Sequence, residues 1–511
     1  MTRVRRTPVP VRAPGWRRTG RGRGVRFRRT RRNNEAGEMR RAKIVCTIGP
    51  ATESKEQLRA LVDAGMDVAR INRSHGSAEE HEAVYHGVRE AAAASGRSVA
   101  VLVDLQGPKI RLGRFAGDEK HWLNEGDVFT ITTEEVVGTK ELVSTTHKGL
   151  PGDARVGDPI LIDDGKVLVR VTAVEGPGRH PCRGGRTGLQ QQGSEPAGRR
   201  RLGAALSEKD RDDLRWALRL GADIIALSFV RSAEDFADVK TIMDEEGRTV
   251  PVIAKIEKPQ AVENLAEIVD AFDGVMVARG DLAVELPLEQ VPLVQKRIVE
   301  LARRNAKPVI VATQVLESMT NSPRPTRAEA SDCANAVLDG ADAVMLSGET
   351  SVGDFPILTV ETMARIIVAT EEAGRERMAP LGSTPHTRGG AITRAAAEIG
   401  EILGAKYLAT FTQSGDSARR MSRLRSSIPL LAFTPREHVR NVLSLSWGTQ
   451  SYQVPEVENT DAMVGQVDTT LQANGLAEVG DLVVVVSGAP VGQPGTTNSI
   501  LVHRIGDSTD V

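Results

Sequence analysis

From residue 43 onward the chain alternates between two kinds of segment. Short runs rich in Val, Ile and Ala are followed by longer segments whose apolar positions recur with helical spacing, as in parallel βα units. Eight such runs can be counted, at residues 43–50, 68–74, 99–107, 224–230, 251–257, 274–281, 308–314 and 343–350. The pattern predicts eight strands separated by helices.

Two of the intervening segments have clear helix boundaries. Ser207 is followed three residues later by Asp210, and an apolar stripe then runs to Gly221. The second segment runs from Thr326 to Gly340. A hydroxyl before the first turn and a glycine after the last predict where each helix starts and stops.

Eight βα units in one chain predict a TIM (β/α)₈ barrel, in which the chemistry lies at the carboxyl ends of the strands. Nearly all of the predicted strand ends here close on a charged or hydroxyl residue. Buried strand interiors do not carry such residues, so this clustering predicts an active site at the open end of the barrel.

The third predicted strand ends near Gly107 and the next helix begins near Ser207, which is too long an interval for a loop. Alternating patterns around residues 121–135 and 155–174 predict antiparallel strands of an inserted domain. A third domain of α/β character follows the barrel. The predicted division is a barrel of residues 39–112 and 206–385, an inserted small β-barrel lid of residues 113–205, and a C-terminal α/β domain of residues 386–511.

Composition adds little that distinguishes the chain. Apolar residues make up 40% of its 511 residues and charged residues 26%, as in ordinary globular proteins. Its runs of apolar residues are shorter than a membrane span requires. The three cysteines, Cys46, Cys182 and Cys333, are far apart and odd in number, which argues against a disulfide framework or metal cluster and favours the cytoplasm.

The net charge of zero conceals a basic amino-terminal segment. Residues 1–38 contain thirteen arginines and two glutamates, and the rest of the chain carries a matching acidic excess. We expect this segment to be disordered and not native, with translation beginning at Met39. A nucleic-acid-binding Arg-Gly tail is the main alternative, and a targeting segment a weaker one.

The strongest candidate chemistry combines Lys255, Glu257 and Asp281 at the ends of the fifth and sixth predicted strands. Two carboxylates beside a lysine suit Mg²⁺ and an anionic group that the metal also touches, as phosphoryl transfer requires. The alternative is an ion triad that only locks the end of the barrel. Arg70, Asn72 and Ser74 alternate along the second strand end and read as an anion or ligand site, although each alone is an ordinary strand-end residue.

Six blocks of sequence together resemble the pyruvate kinase family. They are VARINRSHG, VDLQGPKIRLG, IAKIEKP, VMVARGDLAVELP, VATQVLESM and RPTRAEASDCANAVLDGADAVMLSGETSVG. The blocks occur in the family's order, and the likeness covers residues 39–175 and 204–511. It implies transfer of the phosphoryl group of phosphoenolpyruvate to ADP, giving pyruvate and ATP in the last step of glycolysis.

The resemblance also implies roles for individual residues. Arg70 would bind the transferring phosphate, and Lys255 would stabilise the phosphoryl group in transit. Glu257 and Asp281 would bind Mg²⁺ (or Mn²⁺). The backbone at Arg279 and Gly280 would bind the substrate carboxylate, and Thr313 would help protonate the enolate. For the nucleotide the implied residues are Thr47, Pro50, Asn72, His75 and Arg111. For a phosphorylated effector they are Thr412, Ser414, Gly415 and Ser417, although this loop could equally be a plain helix N-cap.

Asn72, Ser74, Asp104 and Leu105 resemble the monovalent-cation site of the family. Many relatives carry a glutamate where this chain has Lys109, and that extra negative charge is one that a potassium ion would balance. We therefore predict that K⁺ is dispensable here and that Lys109 is an internal cation.

Residues 179–203 depart from the family, with six arginines and a glutamine run where relatives have apolar strands. We interpret them as a local shift of reading frame; a disordered insertion and a basic binding loop are the alternatives. Taken literally, the segment would impair the lid, so a catalytically impaired relative is the alternative function. Arg73 and Ala283 are milder departures, in place of an apolar residue and a glycine.

Two further readings stay open on the sequence alone. Barrel aldolases and lyases also carry carboxylates at strand ends, although they need no nucleotide lid. The non-enzymatic alternative is a catalytically dead relative with a nucleic-acid-binding tail. We nevertheless expect neither nucleic acid nor a membrane as a partner. The resemblance implies a homotetramer, with ADP or ATP and phosphoenolpyruvate as small-molecule partners.

Overall fold

The computed structural model of the chain describes residues 40–108, 110–118, 121–162, 167–174, 179–184, 187–189, 194–196, 206–490 and 492–507. The predictions for residues 1–38 and for Lys109 lie outside the described residues. In the described residues no helix combines the length and the apolar character needed to cross a membrane.

Twenty-one strands are present in the described residues. The barrel strands are β1 (Lys43–Thr47), β2 (Val68–Asn72), β3 (Ala100–Asp104), β12 (Ile224–Leu227), β13 (Val252–Ile256), β14 (Gly274–Ala278), β15 (Val309–Ala312) and β16 (Ala343–Leu346). The inserted strands are β4 (His121–Leu123), β5 (Asp127–Thr132), β6 (Leu142–Ser144), β7 (Pro159–Ile162), β8 (Val167–Val171), β9 (Arg179–Gly184), β10 (Thr187–Leu189) and β11 (Ser194–Pro196). The C-terminal strands are β17 (Tyr407–Phe411), β18 (Leu430–Thr434), β19 (Thr449–Gln453), β20 (Leu482–Gly488) and β21 (Thr497–Arg504).

Sixteen α-helices accompany them in the described residues. The first eight are α1 (Lys55–Ala64), α2 (Ala78–Ser95), α3 (Leu150–Asp153), α4 (Glu208–Leu220), α5 (Asp235–Glu245), α6 (Pro259–Glu263), α7 (Leu265–Ala271) and α8 (Arg279–Glu285). The other eight are α9 (Val291–Arg304), α10 (Arg327–Asp339), α11 (Gly348–Ser351), α12 (Pro356–Gly374), α13 (Arg388–Leu403), α14 (Asp416–Ser422), α15 (Glu437–Val442) and α16 (Thr460–Ala473).

Eight parallel strands close into a barrel in the order β1-β16-β15-β14-β13-β12-β3-β2. Their alternate side chains fill the interior with small and branched residues, including Val45, Leu102 and Ile253, and Leu445 from the C-terminal part of the chain packs against this cluster. The opposite faces pack against the surrounding helices. The predicted (β/α)₈ barrel is confirmed, with all eight predicted strands in place.

The helix boundaries follow the predicted caps. Ser207 and Asp210 form a reciprocal capping box at the start of α4, which ends at Gly221 in a left-handed conformation. Thr326 caps α10 in the same way, and Gly340 ends it. Since Gly340 has φ +103°, a residue with a β-carbon would be strained there.

The inserted segment forms two sheets where we predicted one small barrel. One has six strands in the order β11-β7-β8-β9-β5-β6, and the other pairs β10 with β4. Strand β9 pairs antiparallel with both β5 and β8, although it lies in the segment 179–203 where the sequence predicts no strand. Backbone hydrogen bonds from its two neighbours can support a strand whatever its side chains, which explains the difference.

The C-terminal part is a five-stranded sheet in the order β19-β18-β17-β20-β21. Four strands are parallel and β21 runs antiparallel to β20. Apolar clusters cover both faces, one built around Leu431, Phe433 and Val467 and the other around Ala396, Leu408 and Val484. The predicted C-terminal α/β character is confirmed, whereas the exact domain boundaries stay a prediction.

Candidate active site

A row of alternating charges crosses the carboxyl end of the barrel. The guanidinium of Arg70 lies 2.7 Å from Asp104 Oδ2, and Lys255 Nζ lies 3.3 Å from Asp104 Oδ1. Lys255 Nζ also lies 2.9 Å from Glu257 Oε1. Asp104 is only 1% exposed and the side chain of Lys255 12%, so these charges interact away from bulk water.

The register of the strands brings these residues together. Asn72 at the end of β2 is the pairing partner of Asp104 at the end of β3, with Arg70 two residues earlier. Lys255 lies on β13, which β12 separates from β3 in the sheet order. The long side chain of Lys255 therefore reaches across one strand to meet Asp104.

The charges in this row shift the pKa values of Asp104, Lys255 and Glu257. Burial alone would raise the pKa of Asp104, but Lys255 and Arg70 outweigh burial and hold it below its usual range. Burial would likewise lower the pKa of Lys255, but Asp104 and Glu257 reverse that effect and raise it. Lys255 is therefore a permanent cation at neutral pH. Burial raises the pKa of Glu257, with Lys255 opposing the change and Asp281 adding to it.

Glu257 and Asp281 are the candidate ligands of a hard divalent cation, and the charge of Asp281 acts on Glu257 by raising its pKa. One oxygen of Glu257 accepts a 2.6 Å hydrogen bond from the Phe229 amide while the other faces Lys255, so the carboxylate is held in place. Among the described residues there is no group of three or more His, Cys, Asp or Glu side chains arranged to hold a metal. Two carboxylates alone still suit Mg²⁺, which usually keeps several waters and substrate oxygens in its shell.

Thr313 stands in a strained backbone at the end of β15. It has φ +66° and the next residue, Gln314, has φ +54°, a region that non-glycine residues rarely occupy. The guanidinium of Arg279 donates to the Thr313 and Gln314 carbonyls at 2.7 and 3.1 Å, and pairs with Asp332 at 2.6 Å. The Thr313 hydroxyl accepts from the Gly280 amide at 2.8 Å. Arg279 thus holds Thr313 next to the Gly280 backbone.

Two residues of this site were not among the sequence candidates. Ser228 receives a 2.7 Å hydrogen bond from Lys255 Nζ and donates to the Leu105 carbonyl at 2.7 Å. Phe229 presents its amide to Glu257 from a backbone with φ +57°. The hydroxyl at the end of the fourth predicted strand was a usable signal for Ser228, but nothing in the sequence marks the left-handed Phe229.

The nucleotide and cation candidates lie around the ends of β1, β2 and β3. The hydroxyl of Thr47 accepts from Arg70 at 2.9 Å and donates to the Leu346 carbonyl, so it also supports Arg70. Asn72 Oδ1 accepts from the Ser74 amide at 3.2 Å. Pro50 and His75 are exposed, Arg111 is half-buried and Leu105 is buried.

The effector candidates line one side of a cleft in the C-terminal sheet domain. The cleft is open to solvent, and Thr412, Ser414 and Ser417 are among the residues that line it. Thr412 Oγ1 accepts from the Gly415 amide at 2.8 Å, and Gly415 has φ +81°. Ser417 Oγ lies 2.6 Å from Thr497 Oγ1. The loop lies at the start of α14 and also lines the cleft, so both an effector site and a plain helix N-cap stay open.

The barrel is closed, and at its mouth a buried cation lies between carboxylates. This arrangement indicates an enzyme that acts on anionic substrates. The β-domain inserted after β3 indicates a phosphotransferase with a lid. Comparison with known proteins narrows this class. Residues 39–360 match the model "Pyruvate kinase, barrel domain", and residues 390–503 match "Pyruvate kinase, alpha/beta domain".

Individual relatives agree with the family models. The chain is 56% identical over 470 residues to the pyruvate kinase of Mycobacterium tuberculosis, covering 92% of this chain and 99% of that protein. It is 55% identical over 474 residues to the pyruvate kinase of Corynebacterium glutamicum, with the same two coverages. A crystal structure of a pyruvate kinase from Cryptosporidium parvum superposes with a TM-score of 0.83 at 33% identity, over 91% of this chain and 96% of that one. The chain belongs to the pyruvate kinase family.

Proposed function

We propose that the barrel mouth transfers the phosphoryl group of phosphoenolpyruvate to ADP, giving pyruvate and ATP. The observation that carries the proposal is the position of Lys255, a buried permanent cation between Asp104 and Glu257 with Arg70 alongside. Phosphoryl transfer asks a protein mainly for positioning and for fixed charges around the group in flight. The names of the relatives support this reaction.

Arg70 and Lys255 would act on the phosphoryl group at different stages of its transfer. The two cations approach Asp104 from opposite oxygens, so one carboxylate holds both of them in place. Arg70 would bind the phosphate of phosphoenolpyruvate in the ground state. Lys255, with its charge fixed by burial among carboxylates, would stabilise the phosphoryl group between donor and acceptor.

Glu257 and Asp281 would hold Mg²⁺, or Mn²⁺ in its place. The ion would supply positive charge to the substrate oxygens and to the transferring group. The protein's own contribution is to fix Glu257 through the Phe229 amide, so that the carboxylate need not reorganise during turnover. Removing divalent ions should therefore abolish activity without unfolding the barrel.

The substrate carboxylate and the enolate would meet the Arg279–Gly280 backbone and Thr313. The Gly280 amide donates to the Thr313 hydroxyl, so a bound carboxylate would compete for that amide and free the hydroxyl to turn. Thr313 would then take part in protonating the enolate, through water. The strained backbone of Thr313 is consistent with such a role, since strain concentrates at functional positions.

The monovalent-cation proposal is that the chain turns over fully without K⁺. Asn72, Ser74, Asp104 and Leu105 would form the site of the family, and Lys109 would replace its cation. Turnover is measured in buffer free of K⁺ and Na⁺ and again with K⁺ added. Activation by K⁺ of about tenfold or more, equal to about 1.4 kcal/mol, contradicts the proposal.

We also propose a cytoplasmic homotetramer with a phosphorylated effector at Thr412, Ser414, Gly415 and Ser417. The cleft that these residues line supports the effector site. No observation favours the catalytically impaired alternative, because the described barrel mouth retains its proposed machinery. The frame-shift interpretation of residues 179–203 stays a prediction, which resequencing the gene across codons 175–206 would test.

The reaction itself is tested by ADP-dependent formation of pyruvate from phosphoenolpyruvate. Lys255→Met should lower kcat by about 10²–10³-fold, the usual loss when one electrostatic stabiliser is removed. Lys240→Met is the matched control, because this lysine lies on exposed α5 in an ion pair with Asp244. Pyruvate formation independent of ADP would favour a lyase, and no formation by the wild-type chain would overturn the proposal.

A further inference from the structure

Arg73 lies between two candidate site residues but makes its contacts elsewhere. It follows Asn72 and precedes Ser74 in the turn after β2. The residue is only 8% exposed. Its guanidinium contacts helices α2 and α4 on the outside of the barrel, so the buried charge is not part of the site described above.

The guanidinium is held from three directions. One of its nitrogens lies 2.6 Å from Asp213 Oδ1, and its carbon lies 4.5 Å from the centre of the Trp216 ring. A second nitrogen meets His81 Nδ1. Burial and the nearby charge of Arg73 lower the pKa of His81 to about 4, so the ring is neutral at pH 7 and can accept this hydrogen bond.

Helix α4 also forms a hydrogen bond with the backbone of Arg73. Lys209 Nζ donates to the Arg73 carbonyl at 2.8 Å and pairs with Asp213. Arg73, Lys209, Asp213 and Trp216 are called the Arg73 clasp below. The Arg73 amide donates to the Asp104 carbonyl at 3.0 Å, so the clasp is connected to β3 as well as to α4.

The first turn of α4 holds the chain where it leaves the barrel for the inserted domain. Asp210 Oδ1 accepts from the Gly107 amide at 3.0 Å, and the same carboxylate caps the helix through Ser207. Gly107 has φ +73°, and a β-carbon there would come within 2.6 Å of the Phe229 ring. The start of α4 is therefore a common anchor for the lid hinge and for the turn after β2.

We propose that Arg73 is a positioning residue that couples this anchor to the nucleotide-side residues 72–75. It touches no reacting atom. A buried ion pair with a stacked guanidinium fixes the turn far more rigidly than an apolar side chain would, because the pair tolerates little displacement. The inference rests on the proposed function and on the expectation, from the family resemblance, that Asn72 and His75 lie toward the nucleotide.

The effect should appear in the KM for ADP. Arg73→Met removes the ion pair and keeps the buried length of the side chain, and we expect the KM for ADP to rise by about 5–10-fold. The kcat and the KM for phosphoenolpyruvate should stay within about twofold, because Arg70 and Lys255 contact the side chain of Asp104, whereas Arg73 reaches Asp104 only through a backbone hydrogen bond that the substitution keeps. A general loss of structure would move all three constants.

A double-mutant cycle tests whether the clasp acts as one unit. Asp213→Asn is nearly isosteric and should reproduce the rise, and the double variant should be no worse than either single one. Arg215→Met is the matched control, because Arg215 also lies on α4 and its 2.8 Å ion pair, with Glu245 of α5, is much more exposed than that of Arg73. If Arg73→Met fails to fold, Asp213→Asn carries the test.

Three results would overturn the inference. They are an unchanged KM for ADP in a folded variant, a parallel rise in the KM for phosphoenolpyruvate, and losses that multiply in the double variant. The outcome is distinct from failure of the proposed function, since that failure would be seen as absence of ADP-dependent turnover in the wild-type chain itself.

Discussion

Replacing Asp104 by Asn isolates the charge that holds the row at the barrel mouth. The substitution keeps the size of the side chain and removes its negative charge. Its oxygen could still accept from Arg70, but the amide group would then face Lys255 Nζ and the Ser228 hydroxyl. Arg70 and Lys255 would lose the carboxylate that they share, and Glu257 and Asp281 would remain to balance Lys255.

The distances set the size of the effect. Arg70 lies 2.7 Å and Lys255 3.3 Å from the carboxylate of Asp104. At an effective dielectric constant of about 20, a unit charge pair at about 3 Å gains about 5 kcal/mol before desolvation is counted. Breaking a buried pair by removing one partner usually costs about 3–5 kcal/mol, and we expect a loss of stability in that range.

The loss is measured as the shift of the barrel transition in urea, followed by tryptophan fluorescence, with the slope compared between variants. Asp244→Asn is the control, since its pair with Lys240 has a similar distance of 2.8 Å but exposed partners, and it should cost less than about 1 kcal/mol. If Asp104→Asn costs no more than this control, burial does not amplify the charges and the reasoning is refuted.

Three further predictions concern the caps, the hinge and the metal. Thr326→Ala should lower the free energy of unfolding, measured in urea, by about 1 kcal/mol, because it removes the side-chain cap of α10. Thr469→Ala, at an exposed position of α16, should lower it by less. Gly107→Ala should lower both kcat and the free energy of unfolding, because alanine is strained at φ +73° and its β-carbon would clash with Phe229 and Ser228; unchanged turnover would contradict this. Treatment with EDTA should abolish activity, and Mg²⁺ or Mn²⁺ should restore it while circular dichroism stays constant; activity that survives chelation would exclude the metal.

The barrel was predictable because its signals are local. Each parallel strand is buried on both faces and therefore reads as an uninterrupted apolar run, such as the one that contains β14. The helix caps at Ser207 and Thr326 are equally local, since a hydroxyl and a carboxylate three residues apart satisfy the same first turn. These elements need no knowledge of their neighbours.

Other strands depend on their neighbours and were missed for that reason. Strand β19 reads TQSYQ, without an apolar run, and is stabilised by pairing along β18. Strand β21 is an edge strand whose outer residues are exposed, and its register is set by β20. Side-chain patterns carry little information where the partner strand supplies most of the hydrogen bonds.

In the candidate site, too, the identity of single residues was predictable, whereas the contacts between them depend on neighbouring strands. The family resemblance assigns Arg70 to the phosphate, Thr47 to the nucleotide and Asp104 to a cation, as three separate functions. In the structure Thr47 and Asp104 are both hydrogen-bonded to Arg70, and Asp104 continues to Lys255. Register between strands, which no single segment encodes, joins them. Because residues in one hydrogen-bonded network couple, substitutions along this row should be strongly non-additive, and the role of any one of them can be measured only in combination with its neighbours.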